Sequence, residues 1–110
     1  MQFKHQSIPQ FELLIVEGRL DTNTADRLDE KVEELRRTGC SNFLFDLRKL
    51  EYISSYGIRI FAKLLRNSCR ISLVITDKNI WEIVEMAGLL DLLHVTDTLE
   101  EAILGLSKTK

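Results

Sequence analysis

Short apolar runs alternate along the chain with longer stretches in which apolar residues recur every three or four positions. Three runs, residues 11–18, 42–47 and 71–76, would present apolar side chains on both faces of an extended chain. Strands of this kind lie in sheets that helices cover on both sides. A run around residues 3–6 predicts an edge strand, and residues 92–95 predict a short last strand.

The periodic stretches predict four amphipathic helices, each starting at residues that accept hydrogen bonds from free backbone N–H groups. The start signals are Asp21-Thr22-Asn23-Thr24, Ser54-Ser55, Asp77, and Thr98 paired with Glu101. The predicted buried stripes are Ala25, Leu28, Val32 and Leu35; Ile58, Phe61, Ala62 and Leu65; Ile80, Ile83, Val84 and Ala87; and Leu99, Ala102, Ile103 and Leu106. Gly39 and Gly88 are expected to end the first and third helices.

Strands that alternate with helices predict an α/β fold, with a mixed, mostly parallel sheet of four or five strands and about four helices. An antiparallel hairpin is expected at the start, with its turn at Pro9. The length of 110 residues is close to the commonest size of one domain, so residues 1–110 are expected to form a single domain. The hydrophobic share of 45% is enough for one packed core.

The charges are balanced, with 15 Lys and Arg against 17 Asp and Glu, which excludes a general electrostatic binder of nucleic acid or anionic lipid. No apolar run approaches the roughly 20 residues of a membrane-spanning helix, so we expect no membrane insertion. The amino terminus lacks the apolar core of a secretory signal. Cys40 and Cys69 are expected to be reduced. The expected location is the cytoplasm.

The side chains that a catalyst or a metal site needs are not grouped in this sequence. His5 and His94 have no Cys or carboxylate at ligand spacing. Nucleophile-elbow, phosphate-loop and dinucleotide-binding motifs are absent. A two-component receiver domain would need clustered carboxylates, whereas Asp21 and Asp46 have no acidic neighbour, and Asp46 is expected to cap a helix or lie in a polar loop. We expect no enzyme activity, no metal and no cofactor.

Ser54 and Ser55 lie where a buried strand passes into an apolar helix. One interpretation is that a serine caps the helix. The other is phosphorylation, because a helix start accommodates an anion and a phosphate adds about −1.5 to −2 charge. Arg59, one turn beyond Ser55, is within reach of such a phosphate. The two roles are compatible in one hydroxyl.

The segment Tyr-Ile-Ser-Ser-Tyr-Gly-Ile-Arg, residues 52–59, resembles the signature of the STAS domain of bacterial anti-sigma-factor antagonists. Residues 45–47, 17–25 and 86–89 resemble the same family in the same order, so the likeness covers most of the chain. It implies that Ser55 takes the place of the phosphorylated serine. Ser54 then occupies a position that is often aspartate, and is a second possible acceptor.

The resemblance also implies a partner-binding surface around the switch serine. Two residues depart from the family pattern: Tyr56 replaces a serine or alanine, and Arg59 stands where some members have glycine. Lys63 and Arg66 are expected at the margin, as a solvated helix face. The expected partner-binding residues are Asp21, Thr22, Asn23, Ser54, Tyr56, Gly57 and Arg59.

By this resemblance the protein is an anti-sigma-factor antagonist. Unphosphorylated, it would bind an anti-sigma factor that is also a serine kinase and so release a sigma factor. Phosphorylation of Ser55 would end binding, and a serine phosphatase would restore it. Two alternatives stay open: a non-switching STAS scaffold or accessory subunit of a stress-signalling assembly or membrane transporter, and a small-ligand or nucleotide sensor. A monomer or weak dimer without direct nucleic-acid contact is expected.

Overall fold

The computed structural model describes residues 1–8 and 11–107, and for residues 106 and 107 only the backbone. The turn predicted at Pro9 and the burial predicted for Leu106 therefore lie outside the described residues. The elements follow one another as β1 (Gln2–Ile8), β2 (Phe11–Leu20), α1 (Thr22–Arg37), β3 (Asn42–Ile53), α2 (Ser55–Arg66), β4 (Arg70–Val74), α3 (Lys78–Met86), β5 (His94–Thr96) and α4 (Leu99–Ser107).

The strands form one five-stranded sheet in the order β1-β2-β3-β4-β5. β1 is antiparallel to β2, and the remaining neighbours are parallel. The predicted α/β class, mixed sheet and four helices are confirmed. The largest difference from the predicted elements is the length of β3, which continues to Ile53 instead of ending at residue 47. Its pairing with β2 contains register shifts between Ile15 and Glu17 and between Gly18 and Arg19.

Both faces of the sheet are covered, as the doubly apolar strands predict. α1, α2 and α3 pack on one face over a large core that contains Phe43, Phe45 and Phe61. The rings of Phe45 and Phe61 meet edge to face with centroids 5.0 Å apart. α4 packs on the opposite face, where Ala102 lies in a smaller core with Leu44.

The buried stripe predicted for α1 is confirmed at all its positions. In α2, Ile58 and Phe61 are buried as predicted, but Ala62 and Leu65 are only half-buried. Ile60 and Leu64 are buried instead, because α2 packs against α1 as well as against the sheet.

The stripe predicted for α3 needs a similar correction. Ile80 and Val84 are buried, whereas Ile83 is half-buried. Ala87 is exposed, because it is the C-cap of a helix that ends at Met86. Gly88 follows with a φ of 77°, a left-handed conformation that ends the helix as predicted.

Asp46 is neither a helix cap nor a loop residue, contrary to the expectation. It is buried within β3, and its carboxylate pairs with the Arg48 guanidinium at 2.6 Å (Oδ2 to Nη2) and accepts the Arg48 backbone N–H. Burial alone would raise the pKa of this carboxyl, but the bonds from Arg48 outweigh burial and hold the pKa below its usual value. The pair lies where β3 shifts register against β2.

Among the described residues, none of the helices is both long and apolar enough to cross a membrane. Cys69 is buried, Cys40 is half-buried, and both are free thiols. Burial raises the pKa of the Cys40 thiol, which keeps it protonated and poorly reactive.

Candidate functional site

The starts of α1 and α2 are brought together by the carboxyl ends of two neighbouring strands. Leu20 ends β2 and pairs with Ile53, which ends β3. The backbone N–H of Ser54 donates to the Leu20 carbonyl at 2.8 Å. Asp21 and Ser54, the N-caps of the two helices, therefore follow adjacent strands, and the residues of both first turns lie at one edge of the sheet.

Asp21 caps α1 through a reciprocal pair of hydrogen bonds with Thr24. Its carboxylate accepts the Thr24 backbone N–H at 3.0 Å, and the Thr24 hydroxyl accepts the Asp21 backbone N–H at 2.9 Å. The bond from the Thr24 backbone is the main cause of a lowered pKa for Asp21. Thr22 and Asn23 occupy the first turn and are exposed. Asp21 thus holds two exposed polar residues in position.

The two serines at the start of α2 have different environments. Ser54 is the N-cap, and its Oγ accepts the backbone N–H of Gly57 at 3.3 Å. Its carbonyl accepts the N–H of Ile58 at 3.0 Å, which closes the first helical turn. Ser55 is the first residue of the helix, and its side chain is exposed. Capping is therefore performed by Ser54, which leaves the Ser55 hydroxyl on the surface.

Gly57 is buried because the backbone of α2 approaches the strand ends closely. A Cβ at this position would lie 2.8 Å from Leu20 Cδ2 and 2.9 Å from Ile53 Cγ1. Non-bonded carbon atoms do not pack this closely, so any residue larger than glycine would require the Leu20 or Ile53 side chain, or the helix, to move. We therefore assign Gly57 a positioning role below the surface.

Tyr56 and Arg59 project from the exposed side of the same helix. The Tyr56 side chain is 46% exposed, and the Arg59 guanidinium carbon lies 5.4 Å from the centroid of its ring. This distance is within the range of a cation–π contact. Both residues line a groove of about 210 Å³ between α1 and α2, together with Asp26 and Arg66.

Lys63 is not the solvated side chain expected from the sequence. It is half-buried in the groove, and its Nζ lies 2.5 Å from Asp29 Oδ1 and 2.9 Å from Glu33 Oε2. Burial would lower the pKa of Lys63, but the hydrogen bonds that its ammonium group donates to the two carboxylates outweigh burial and raise the pKa. The same contact is the main cause of a lowered pKa for Glu33. Lys63 therefore ties α2 to α1, whereas Arg66 is exposed as expected.

His5 also has a partner that the sequence spacing does not show. Its Nε2 contacts the carboxylate of Glu12 across the first hairpin, and the Ser7 hydroxyl donates to the same carboxylate at 2.7 Å. The antiparallel register places Ser7 directly opposite Glu12 and His5 two residues away on the same face. In residues 1–8 and 11–107, three or more His, Cys, Asp or Glu side chains never converge as a metal site.

Residues 3–102 match the family model of the STAS domain. The chain belongs to the STAS domain family. The resemblance of the serine-containing segment to that family is thereby confirmed.

The relatives of this STAS domain include proteins named as anti-sigma factor antagonists. It is 28% identical to an anti-sigma-B factor antagonist of Staphylococcus aureus over 89 residues, which are 77% of this chain and 82% of the relative. The crystal structure of an anti-sigma factor antagonist from Mycobacterium paratuberculosis matches with a TM-score of 0.88 at 17% identity, covering 97% of this chain and 94% of that chain. The structure of the Bacillus cell fate determinant SpoIIAA in its phosphorylated form matches with a TM-score of 0.74 at 16% identity. The match covers 96% of this chain and 99% of that chain. The two structures show a shared fold.

Proposed function

We propose that this STAS domain is an anti-sigma-factor antagonist that binds an anti-sigma factor with serine kinase activity. Binding by the unphosphorylated chain releases a sigma factor. The proposal is supported by membership of the family and by the name of the Staphylococcus aureus relative, an anti-sigma-B factor antagonist. In this role the chain is a ligand and a kinase substrate, and it contributes no catalytic residue.

The observation that carries the proposal is the exposed hydroxyl of Ser55 in the first turn of α2. A kinase has access to this oxygen from solvent, and its modification leaves the Ser54 cap in place. The unpaired N–H groups and the positive end of the helix dipole favour a phosphate at this point. Ser55 is therefore the proposed phosphorylation site, and a serine phosphatase restores the binding form.

The proposed contact region, called here the docking surface, consists of Thr22, Asn23, Ser55, Tyr56 and Arg59. All five side chains are exposed: Thr22 and Asn23 belong to the first turn of α1, Ser55 and Tyr56 to the first turn of α2, and Arg59 lies one turn beyond Ser55. A phosphate in such an interface loses hydration and meets any like charge of the partner. Changing a bound fraction from 99% to 1% requires about 10⁴-fold in affinity, or roughly 5.5 kcal/mol. A buried and poorly paired dianion is able to supply much of that energy.

Asp21, Ser54 and Gly57 act in this proposal as supports of the docking surface. The two caps fix the helix starts, and Gly57 sets the distance between α2 and the strand ends. The exchange takes place in the cytoplasm, where Cys40 and Cys69 remain reduced. The whole chain, residues 1–110, acts as one domain, without a cofactor.

The decisive experiment is incubation with candidate anti-sigma kinases and ATP, followed by intact mass measurement and site mapping. We expect one phosphate, located on Ser55. Ser55→Ala should abolish incorporation and preserve binding to the kinase, whereas Ser55→Asp should weaken binding. Ser54→Ala is the matched control, because it removes a neighbouring hydroxyl and should leave incorporation intact.

Three outcomes would contradict the proposal. Phosphate mapped to Tyr56 or Ser54 would place the switch on another residue. Unchanged affinity of Ser55→Asp would favour a non-switching scaffold, for which a pull-down should recover a transporter or stress-assembly subunit instead of a kinase. Thermal stabilisation by a nucleotide in the absence of any kinase would favour a sensor.

A further inference from the structure

Arg59 lies about one helical turn from two other residues of the docking surface, Ser55 and Tyr56. Its guanidinium lies over the Tyr56 ring, three residues earlier in α2, at 5.4 Å from the ring centroid. Both side chains are exposed, so water weakens this contact. The contact is therefore easily exchanged for a stronger one.

Ser55 is the second group within reach of Arg59. The two residues are separated by four positions in α2, and side chains with this spacing lie on the same face of a helix, one turn apart. An unmodified hydroxyl offers Arg59 only a neutral hydrogen bond. A phosphate offers a dianion and a bidentate geometry that suits a guanidinium, which is stronger than an exposed cation–π contact.

Among the cations of α2, Arg59 is the one best placed to respond to a phosphate on Ser55. Lys63 is already held by Asp29 and Glu33 from α1, at 2.5 and 2.9 Å. Arg66 lies about two turns further along α2. The carboxylate of Asp21 at the start of α1, and that of Asp26 in the groove, add negative charge on the side from which α1 packs.

We propose that Arg59 changes partner when Ser55 is phosphorylated, leaving the Tyr56 ring to pair with the phosphate. One modification then alters three positions of the docking surface: Ser55 gains charge, Arg59 is neutralised, and the Tyr56 ring is uncovered. The inference rests on the proposed function only in assuming that Ser55 is the residue phosphorylated in the cell. Tyr56 and Arg59 are the two residues that depart from the family pattern. In this proposal their contact is the one that the phosphate breaks.

The test uses the full chain with phosphoserine introduced at position 55 during synthesis, so that no kinase is needed. Titration by ³¹P NMR measures the second pKa of the phosphate, which is near 6 in a free phosphoserine. We expect Arg59→Gln to raise this pKa by about 0.3 to 0.7 pH units, the size of an exposed ion pair. Arg66→Gln is the matched control and should change it by less than about 0.1 unit. Equal shifts in the two variants would overturn the proposal.

The Tyr56 ring provides a second, independent measurement. Phosphorylation at position 55 should shift its NMR resonances in the same direction as Arg59→Gln does in the unphosphorylated chain, because both remove the guanidinium from the ring. Ring resonances that do not respond to the phosphate would also overturn the proposal. A kinase that fails to modify Ser55 would contradict the proposed function and leave both of these measurements interpretable, so the two failures are distinguishable.

Discussion

Ser54 and Ser55 are consecutive, yet only Ser54 caps α2, with its Oγ accepting the Gly57 backbone N–H at 3.3 Å, while the Ser55 side chain is exposed. The oxygen that caps the helix and the oxygen proposed as the kinase target are therefore different atoms. Modifying Ser55 does not require the helix to lose its cap. The proposed phosphorylation of Ser55 would therefore leave the hydrogen bond that caps α2 intact.

The division of roles predicts opposite results from two neighbouring substitutions. Ser54→Ala should lower the free energy of unfolding by about 0.5–1 kcal/mol, because the first turn loses its N-cap acceptor. Ser55→Ala should change the same quantity by less than about 0.5 kcal/mol, because the side chain is exposed. Urea unfolding monitored by circular dichroism measures both. A larger loss for Ser55→Ala than for Ser54→Ala would reverse the assignment.

Gly57→Ala should destabilise the protein by about 1–3 kcal/mol, because the new Cβ would overlap Leu20 and Ile53. In an open helix position the same change would stabilise by about 0.5–1 kcal/mol, so the sign of the effect is diagnostic. The control is the same substitution in a Leu20→Ala background, where the penalty should shrink. Stabilisation by Gly57→Ala alone would show that the close approach does not exist.

Arg48→Met should lower the free energy of unfolding by about 1–2 kcal/mol at neutral pH, because it leaves the buried Asp46 carboxylate without its guanidinium. The folded pKa of Asp46 lies below the usual 3.8, so its pairing contributes stability above pH 3.8 and loses it as pH falls through the folded value. The difference between wild type and variant should therefore shrink in acid.

The measurement is urea unfolding at a series of pH values from neutral to strongly acidic. Lys49→Met is the control, since Lys49 is the exposed cation next in the chain, and it should show little loss at any pH. A penalty for Arg48→Met that is independent of pH would mean that packing of the arginine stem, and not its charge, stabilises β3.

Lys63→Met should raise the pKa of Glu33, because the hydrogen bond from Lys63 is the main cause that lowers it. The loss of stability should be only about 0.5–1 kcal/mol at neutral pH, since solvent partly screens the pair. Because the folded pKa of Glu33 is depressed, this loss should disappear as pH falls through it. Carboxyl ¹³C NMR of Glu33 tests the shift. Arg66→Met, on the same helix, should leave the Glu33 resonance unchanged.

Periodicity alone was sufficient for the order of strands and helices but not for the full length of β3. The end predicted at residue 47 fails because Arg48, Lys49, Glu51 and Tyr52 read as a polar loop. In the structure these residues are exposed positions of a strand whose Leu50 is buried, and the register shifts against β2 break the strict alternation. The Asp46–Arg48 ion pair could have been predicted from the sequence, because alternate residues of a strand lie on the same face of the sheet.

Local sequence patterns likewise predicted only part of the candidate site. Helix-start chemistry located Ser54 and Ser55, because capping is a local property. The close approach of Gly57 to Leu20 depends on how far α2 sits from β2, which no local pattern contains. The ion pairs of Lys63 depend on contact between α1 and α2, residues 34 positions apart in the case of Asp29. Long-range packing determines these features, so they required the folded chain.

The close approach of the α2 backbone at Gly57 to Leu20 and Ile53 leaves no space for a Cβ beneath the first turn of α2. The side of the turn that faces the strand ends is filled, so a group added to Ser55 lies on its exposed side. Under the proposed function, phosphorylation would change the charge of this surface and not the packing beneath it, so only a partner in contact with the surface would detect the modification.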